Sequence, residues 1–331
     1  MRKRLRLPLL LAIALAVGIL VAGCQASPAP GNPALPPGFK DTLLPQPPLS
    51  GYLYARPRQS IAIATSLLTE RGSQATTPPA SLPATLHAEG FLGWVGPTAS
   101  SFGLALDVGS PEEAQAVAAY SLAQPGQRWT HQEADHLFLV DGTDPWAQSL
   151  RKAIEEGQQT VRLQDAYPQA WEALQWLPAN PPAPPVAAGF LQVQGDLLES
   201  LATRWGVEAQ GLTPALGFLN VETVALGIYG DLPSPIEAGA SLNTLPLGRI
   251  GGVVAAPTGF PGFLLPWAFG QMEGRSSLEK VSLENGATAY YLGLQPLHVM
   301  LGYRGSVVFV GLGASKEEAQ RWLSVALGVS G

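Results

Sequence analysis

The run Pro178-Ala-Asn-Pro-Pro-Ala-Pro-Pro185 lets neither a helix nor an interior strand pass through it. Each proline lacks the backbone donor that both elements need. The chain of 331 residues is therefore expected to fold as two lobes, 51–177 and 187–331, on either side of a linker at 178–186. A second proline-rich stretch, residues 24–50, carries no apolar period and reads as an extended tether ahead of both lobes.

The lobes share an order of signals. Gly51-Tyr-Leu-Tyr-Ala-Arg-Pro57 reads as a strand before an apolar-periodic helix at Gln59–Arg71, and Ala188-Gly-Phe-Leu-Gln-Val-Gln194 precedes Asp196–Trp205 in the same way. The first lobe closes with a strand at 136–142 and a helix from Asp144 to Glu156. The second closes with Ser306–Gly311 and a helix from Ser315 to Leu327. Asp144 before Pro145, and Ser315-Lys-Glu-Glu318 as a capping box, begin these helices. Strands lie mostly beside strands, with about three in the run 287–311. The expected class is α+β, with two related lobes, each a mainly antiparallel sheet with helices packed on one face.

At the amino terminus, Arg2, Lys3, Arg4 and Arg6 precede an apolar run from Leu7 to Val21, the pattern of a secretory signal at 1–23. Val21-Ala22-Gly23-Cys24 resembles the lipobox of bacterial lipoproteins, and Cys24 is the only cysteine in the chain. The resemblance implies a diacylglyceryl (palmitate-type) thioether on Cys24, cleavage before it and acylation of the new amino terminus. An ordinary secretory signal and an uncleaved anchor are the alternatives. Two or more acyl chains hold a protein durably on a membrane, at about 0.8 kcal/mol per buried methylene. The strand, Asp107-Val-Gly-Ser-Pro-Glu-Glu-Ala114, helix unit, together with the paired layout, is similar to uncharacterised bacterial envelope lipoproteins built from duplicated α+β modules. That resemblance spans residues 50–328 and transfers no catalytic motif.

Loss of residues 1–23 removes four bases and no acids, leaving 15 bases against 25 acids and a net charge of −10. Such a chain repels nucleic acid, so no nucleic-acid partner is expected. With Cys24 acylated, no thiol is left for a disulfide, a thiolate metal site or a nucleophile. The strand, Gly311-Leu-Gly313, helix segment imitates a dinucleotide turn but has Lys316 where the third glycine belongs. No cofactor and no metal are expected. His131-Gln-Glu-Ala-Asp-His136 lacks helical zinc spacing and reads as a hairpin tip turning near Ala134 and Asp135. His298 lies in an apolar strand and His87 in a loop, with no Gly-x-Ser-x-Gly elbow to serve. The carboxylate pairs at 112/113 and 317/318 suit helix amino termini.

Phe260-Pro-Gly-Phe-Leu-Leu-Pro-Trp-Ala-Phe269 is apolar on nearly every side. It reads either as a buried helix or as an exposed contact for a partner protein or lipid, through Phe260, Phe263, Trp267 and Phe269. No catalytic residue is assigned. The expected protein is a non-enzymatic lipoprotein of the cell envelope, anchored on the extracytoplasmic side of a bacterial membrane. Its expected role is binding, docking or assembly with a membrane-protein partner. A carrier or sensor of a hydrophobic ligand is the second reading, and an envelope hydrolase the third.

Overall fold

The computed structural model describes residues 33–36, 43–44, 49–55, 88–97, 101–108, 110–123, 128–133, 136–157, 161–193, 221–230, 250–259, 265–266, 279–284, 286–294 and 297–328. The helices expected at Gln59–Arg71 and Asp196–Trp205 lie outside these residues. Along the first part of the chain run β1 (Leu43–Leu44), β2 (Gly51–Ala55), β3 (Ala88–Val95), β4 (Phe102–Val108) and α1 (Pro111–Ala123). A hairpin, β5 (Arg128–Glu133) and β6 (His136–Asp141), leads into α2 (Pro145–Glu155). Next come β7 (Val161–Arg162), the short α3 (Leu163–Ala166) and α4 (Pro168–Leu174). The remainder holds β8 (Pro185–Gln192), β9 (Thr223–Gly230), β10 (Ile250–Pro257), β11 (Glu279–Ser282), β12 (Thr288–Leu294), β13 (Leu297–Arg304), β14 (Val307–Gly313) and α5 (Lys316–Ala326).

This is an α+β protein built on one antiparallel sheet. Its 12 strands are ordered β11-β12-β13-β14-β10-β9-β8-β2-β3-β4-β6-β5. The strands expected to form separate sheets thus belong to a single one. The join is the antiparallel pair β2 and β8, with Gly51 opposite Leu191, Leu53 opposite Gly189 and Ala55 opposite Ala187. A side chain at Gly189 would run into the Tyr52 carbonyl, so glycine is what lets the backbones meet there. β8 opens at Pro185, inside the proline run, where a missing donor at a strand end is tolerated.

Local signals account for the helix starts. The Asp144 carboxylate accepts the Ala147 N–H at 2.8 Å, Ser110 Oγ accepts the Glu113 N–H at 3.2 Å, and Ser315 Oγ accepts the Glu318 N–H at 3.2 Å. Glu318 completes the box one residue further back than the usual pattern, accepting the Ala314 N–H at 2.8 Å. In α2 the buried residues are Trp146, Ala147, Leu150 and Ala153, the spacing of one helical face.

The helices do not all lie on one face, which corrects the sequence expectation. Trp146 and Leu150 of α2, Ala170 and Leu174 of α4, and Trp322 and Leu323 of α5 share a cluster with Tyr52, Trp94, Phe190, Tyr229 and Phe309. Ala114 and Val117 of α1 instead pack with Leu104, Leu106, Leu137 and Leu139, side chains of alternate parity on β4 and β6. The reason is topological. β4 and β5 run parallel with β6 between them, so α1 lies in a crossover, whose right-handedness fixes the face it covers.

Close helix approach rests on glycine. A Cβ on Gly311 would meet the Ala319 carbonyl and stand 2.5 Å from the Leu323 nitrogen, so α5 lies directly on the backbone of β14. Nearby, the ring of Tyr229 stacks on Trp322 at 5.0 Å. The Tyr229 hydroxyl is buried with no hydrogen-bond partner among the described residues, and burial pushes its pKa well above the ordinary value.

Two opposite outcomes are expected in urea denaturation with unchanged slope. Gly311→Ala lowers stability by about 1–3 kcal/mol through overpacking of α5. Tyr229→Phe raises it by about 1 kcal/mol, because a desolvated hydroxyl without a partner is removed.

Candidate functional site

The described residues bring chemistry together in two places. The first is where the amino-terminal segment meets the body. Ala34 donates its N–H to the Pro178 carbonyl at 2.9 Å, Pro33 and Pro36 are buried, and Leu35 packs against the main core. Further along, β1 pairs with β7, and the Leu49 N–H donates to the Tyr167 hydroxyl at 2.8 Å. Desolvation is the main reason the Tyr167 pKa is raised, with the Leu49 contact opposing it. Ser50 then bonds both neighbouring strands, its N–H to the Val95 carbonyl at 2.9 Å and its carbonyl to the Gln192 N–H at 2.6 Å. Within the stretch expected to be a tether, residues 33–36, 43–44 and 49–50 are thus strapped to the folded body.

Near Trp176 lies Arg304 on β13. Its Nη1 donates to the Leu327 carbonyl at 3.0 Å, closing the carboxyl end of α5. Its guanidinium carbon stands 6.0 Å from the Trp176 ring centre and 5.6 Å from that of Phe309. Trp176 meets Phe309 edge-on at 6.5 Å. Arg304 is half-buried, its Nε has no hydrogen-bond partner among the described residues, and burial lowers its pKa from the usual value. Among the described residues no carboxylate pairs with it.

The second place is at the amino end of α5. The Tyr291 hydroxyl and His298 Nδ1 are 2.5 Å apart, and the two rings stack at 5.9 Å. Lys316 Nζ sits 4.7 Å from the Tyr291 ring centre and 2.7 Å from Glu279 Oε1. Glu317 is held below its ordinary carboxylate pKa by its own backbone N–H first and by Ser315 second, with His298 and Lys316 adding to this. This geometry joins phenol and imidazole by a hydrogen bond while Lys316 is tied to Glu279.

The residues singled out in the sequence fall as follows. Cys24, Phe260, Phe263, Trp267 and Phe269 lie outside the described residues, as does His87. Within the segment 260–269, Leu265 is fully buried. His131 stacks on Trp129 at 5.7 Å and tilts against Phe138 at 6.3 Å, on a hairpin whose last pair is Glu133 and His136. That is the hairpin its spacing predicts. The Gly311-Leu-Gly313 segment is a packing device. A Cβ on Gly313 would stand 2.7 Å from the Ala319 nitrogen, leaving the turn filled by α5. No group of three or more His, Cys, Asp or Glu among the described residues could hold a metal ion. No described helix is long and apolar enough to cross a membrane.

Arg304, Trp176, Tyr291 and Lys316 had no sequence signal of their own. Each acts with residues far away in the chain, and only the register of β12 on β13 and the seat of α5 bring them together.

No protein-family model matches this chain, and no curated protein sequence does. Among solved structures, the chain aligns with crystal form III of TP0453 at a TM-score of 0.39 and 9% identity, covering 86% of this chain and 98% of that one. Crystal form I aligns at a TM-score of 0.39 and 10% identity, covering 88% and 100%. Form IV gives a TM-score of 0.37 at 9% identity, covering 88% and 99%. A likeness at this level carries no argument about site or function.

Ser315→Ala should move the Glu317 carboxyl titration upward, toward its ordinary value of 4.5, in a carboxyl-detected NMR titration. Because the folded-state pKa is depressed, this group contributes to stability above its ordinary value. The contribution is lost as pH falls through the folded-state value. Removing the cap should weaken that acid dependence.

Proposed function

We propose that this chain is a lipid-anchored, extracytoplasmic lipoprotein of the bacterial cell envelope whose body serves binding, docking or assembly rather than catalysis. The observation that carries the reading is the join between anchor and body. Cys24 ends a lipobox, and only eight residues, 25–32, separate it from Pro33, which is buried in the strap. A lipid on Cys24 would hold a large rigid sheet at the membrane. It would leave the α+β body as the part that meets a partner, a membrane protein on this reading.

We further propose that the body is a duplication. Its support is that two runs of strands read alike outward from the centre, β2-β3-β4-β6-β5 and β8-β9-β10-β14-β13, each followed by a closing helix, α2 or α5. The elements in each run also follow the same chain order. A glycine near the start of the third strand has the same role in each. A Cβ on Gly103 would stand 2.7 Å from Leu150 of α2 and 2.8 Å from Trp94, while one on Gly251 would strike Trp322 of α5. The first strands, β2 and β8, pair with each other antiparallel, as equivalent elements about a local two-fold axis would. The insertion in the second run adds β11 and β12 to the sheet edge.

Cys24→Ala is expected to give a chain that no longer partitions into detergent or sediments with membranes. Unchanged partitioning would remove the lipid anchor from this reading. Crosslinking of the acylated chain in intact membranes, followed by affinity isolation, should recover one stoichiometric membrane protein. Recovery of the chain alone across several detergents would count against the docking role.

A further inference from the structure

We propose that β5 is the edge at which a second copy of this chain pairs, the two β5 strands antiparallel about a two-fold axis through Thr130 and the two α1 helices packed beside them. This goes beyond the docking role and does not depend on acylation of Cys24.

The sheet ends at β11 on one side and at β5 on the other, and among the described residues no strand pairs with the outer edge of either. An open edge presents N–H and C=O groups that a further strand can bond. The β11 edge is blunted. It has four residues, Glu279–Ser282, and opens with two charged ones. β5 is its opposite. Its six residues keep an unbroken register on β6, contain no proline and, with histidine neutral, carry charge only at the ends, Arg128 and Glu133.

Beside this edge lies a helix with an uncharged outer face. Gln132 Nε2 donates to the Pro111 carbonyl at 3.1 Å and Arg128 Nη1 to the Ser121 carbonyl at 3.1 Å, so α1 is tied along β5 near both ends. Residues 114–123 of α1 carry no charge. Ala114, Val117 and Ser121 are buried on its sheet side. About a quarter turn away, on the side that a right-handed crossover turns toward the sheet edge, stand Gln115 and Leu122, with Ala119 between them, all three exposed. Leu122 is the one large apolar side chain among the described residues that is mostly exposed.

A two-fold axis normal to the sheet satisfies strand edge and helix face together. It pairs residues of like parity, so Trp129 falls opposite the partner's His131 and continues the stack that these two rings make within one chain at 5.7 Å. Arg128 falls opposite the partner's Gln132, which holds Pro111, so the exposed carboxylate of the partner's Glu112 lies beside that cation. The symmetry makes this contact twice. With strands about 4.8 Å apart and α1 above the β5–β6 pair, the two helices stand roughly 10 Å apart, a packing distance, with their Gln115, Ala119 and Leu122 stripes facing. At a formal net charge of −6, two copies repel over most of their surface, and this strip carries no charge in its middle.

The test uses the full chain in its membrane. Thr130→Cys puts two thiols face to face on the axis, where antiparallel strands hold opposed Cα atoms about 4.5–5.5 Å apart, within disulfide range. Mild oxidation should join two copies through the introduced thiols, identified by peptide mass. The rate should be about ten-fold that of Asn180→Cys, an exposed site on the loop before β8, five strands from β5. Adding Leu122→Glu to Thr130→Cys should cut the rate about ten-fold by setting carboxylates against the partner helix, with the circular dichroism spectrum unchanged. Light scattering of the parent in mild detergent should give two chains per particle. Monomers there, crosslinking no faster than at position 180, a dominant crosslink to a different protein, or crosslinking that survives Leu122→Glu would each overturn the proposal.

Discussion

The antiparallel pairing of β2 with β8 is the contact on which the architecture depends. Five residues on β2 align with five on β8, and the strands of both halves extend outward from that ladder. Without it, each half would end in an unpaired backbone edge at the centre of the molecule, lined by Tyr52 and Phe190 from the main core. The two rings lie 6.1 Å apart across the ladder, so backbone pairing and aromatic packing reinforce each other at the join. Gly189 is what permits the close approach.

Once the sheet is continuous, its two faces fill differently. Helices α2, α4 and α5 cover one face and share a single core. Helix α1 covers the other face of the first half, and Val254, Ala256, Val308 and Val310 continue that face, all buried, into the second. Small residues in the strands let large aromatic rings lie flat on the sheet, as Trp322 does over Gly251. A sheet with so few charged residues is stabilised by this packing; the Lys152–Glu156 pair is exposed and contributes little.

The strap gives the amino-terminal segment a structural role. Through Ala34, the β1–β7 pair and the Tyr167 hydroxyl it is fastened at three levels along the body.

What the sequence by itself determined was local. Asp144, Ser110 and Ser315 marked helix starts because a cap acts over three residues, and the turn between Glu133 and His136 was legible because a hairpin is set by its own few residues. The three strands of 287–311 were legible for the same reason. What only the tertiary structure decided was everything that needs distant partners. One sheet rather than two, α1 on the opposite face, the docking of Ala34 on Pro178 and the meeting of Tyr291 with Lys316 all depend on pairings between remote segments. A proline-rich segment carries no periodic signal of the surface it will lie on. Its placement follows from a single N–H, a buried leucine and a pair of short strands, which acquire meaning only once the body they bind has formed.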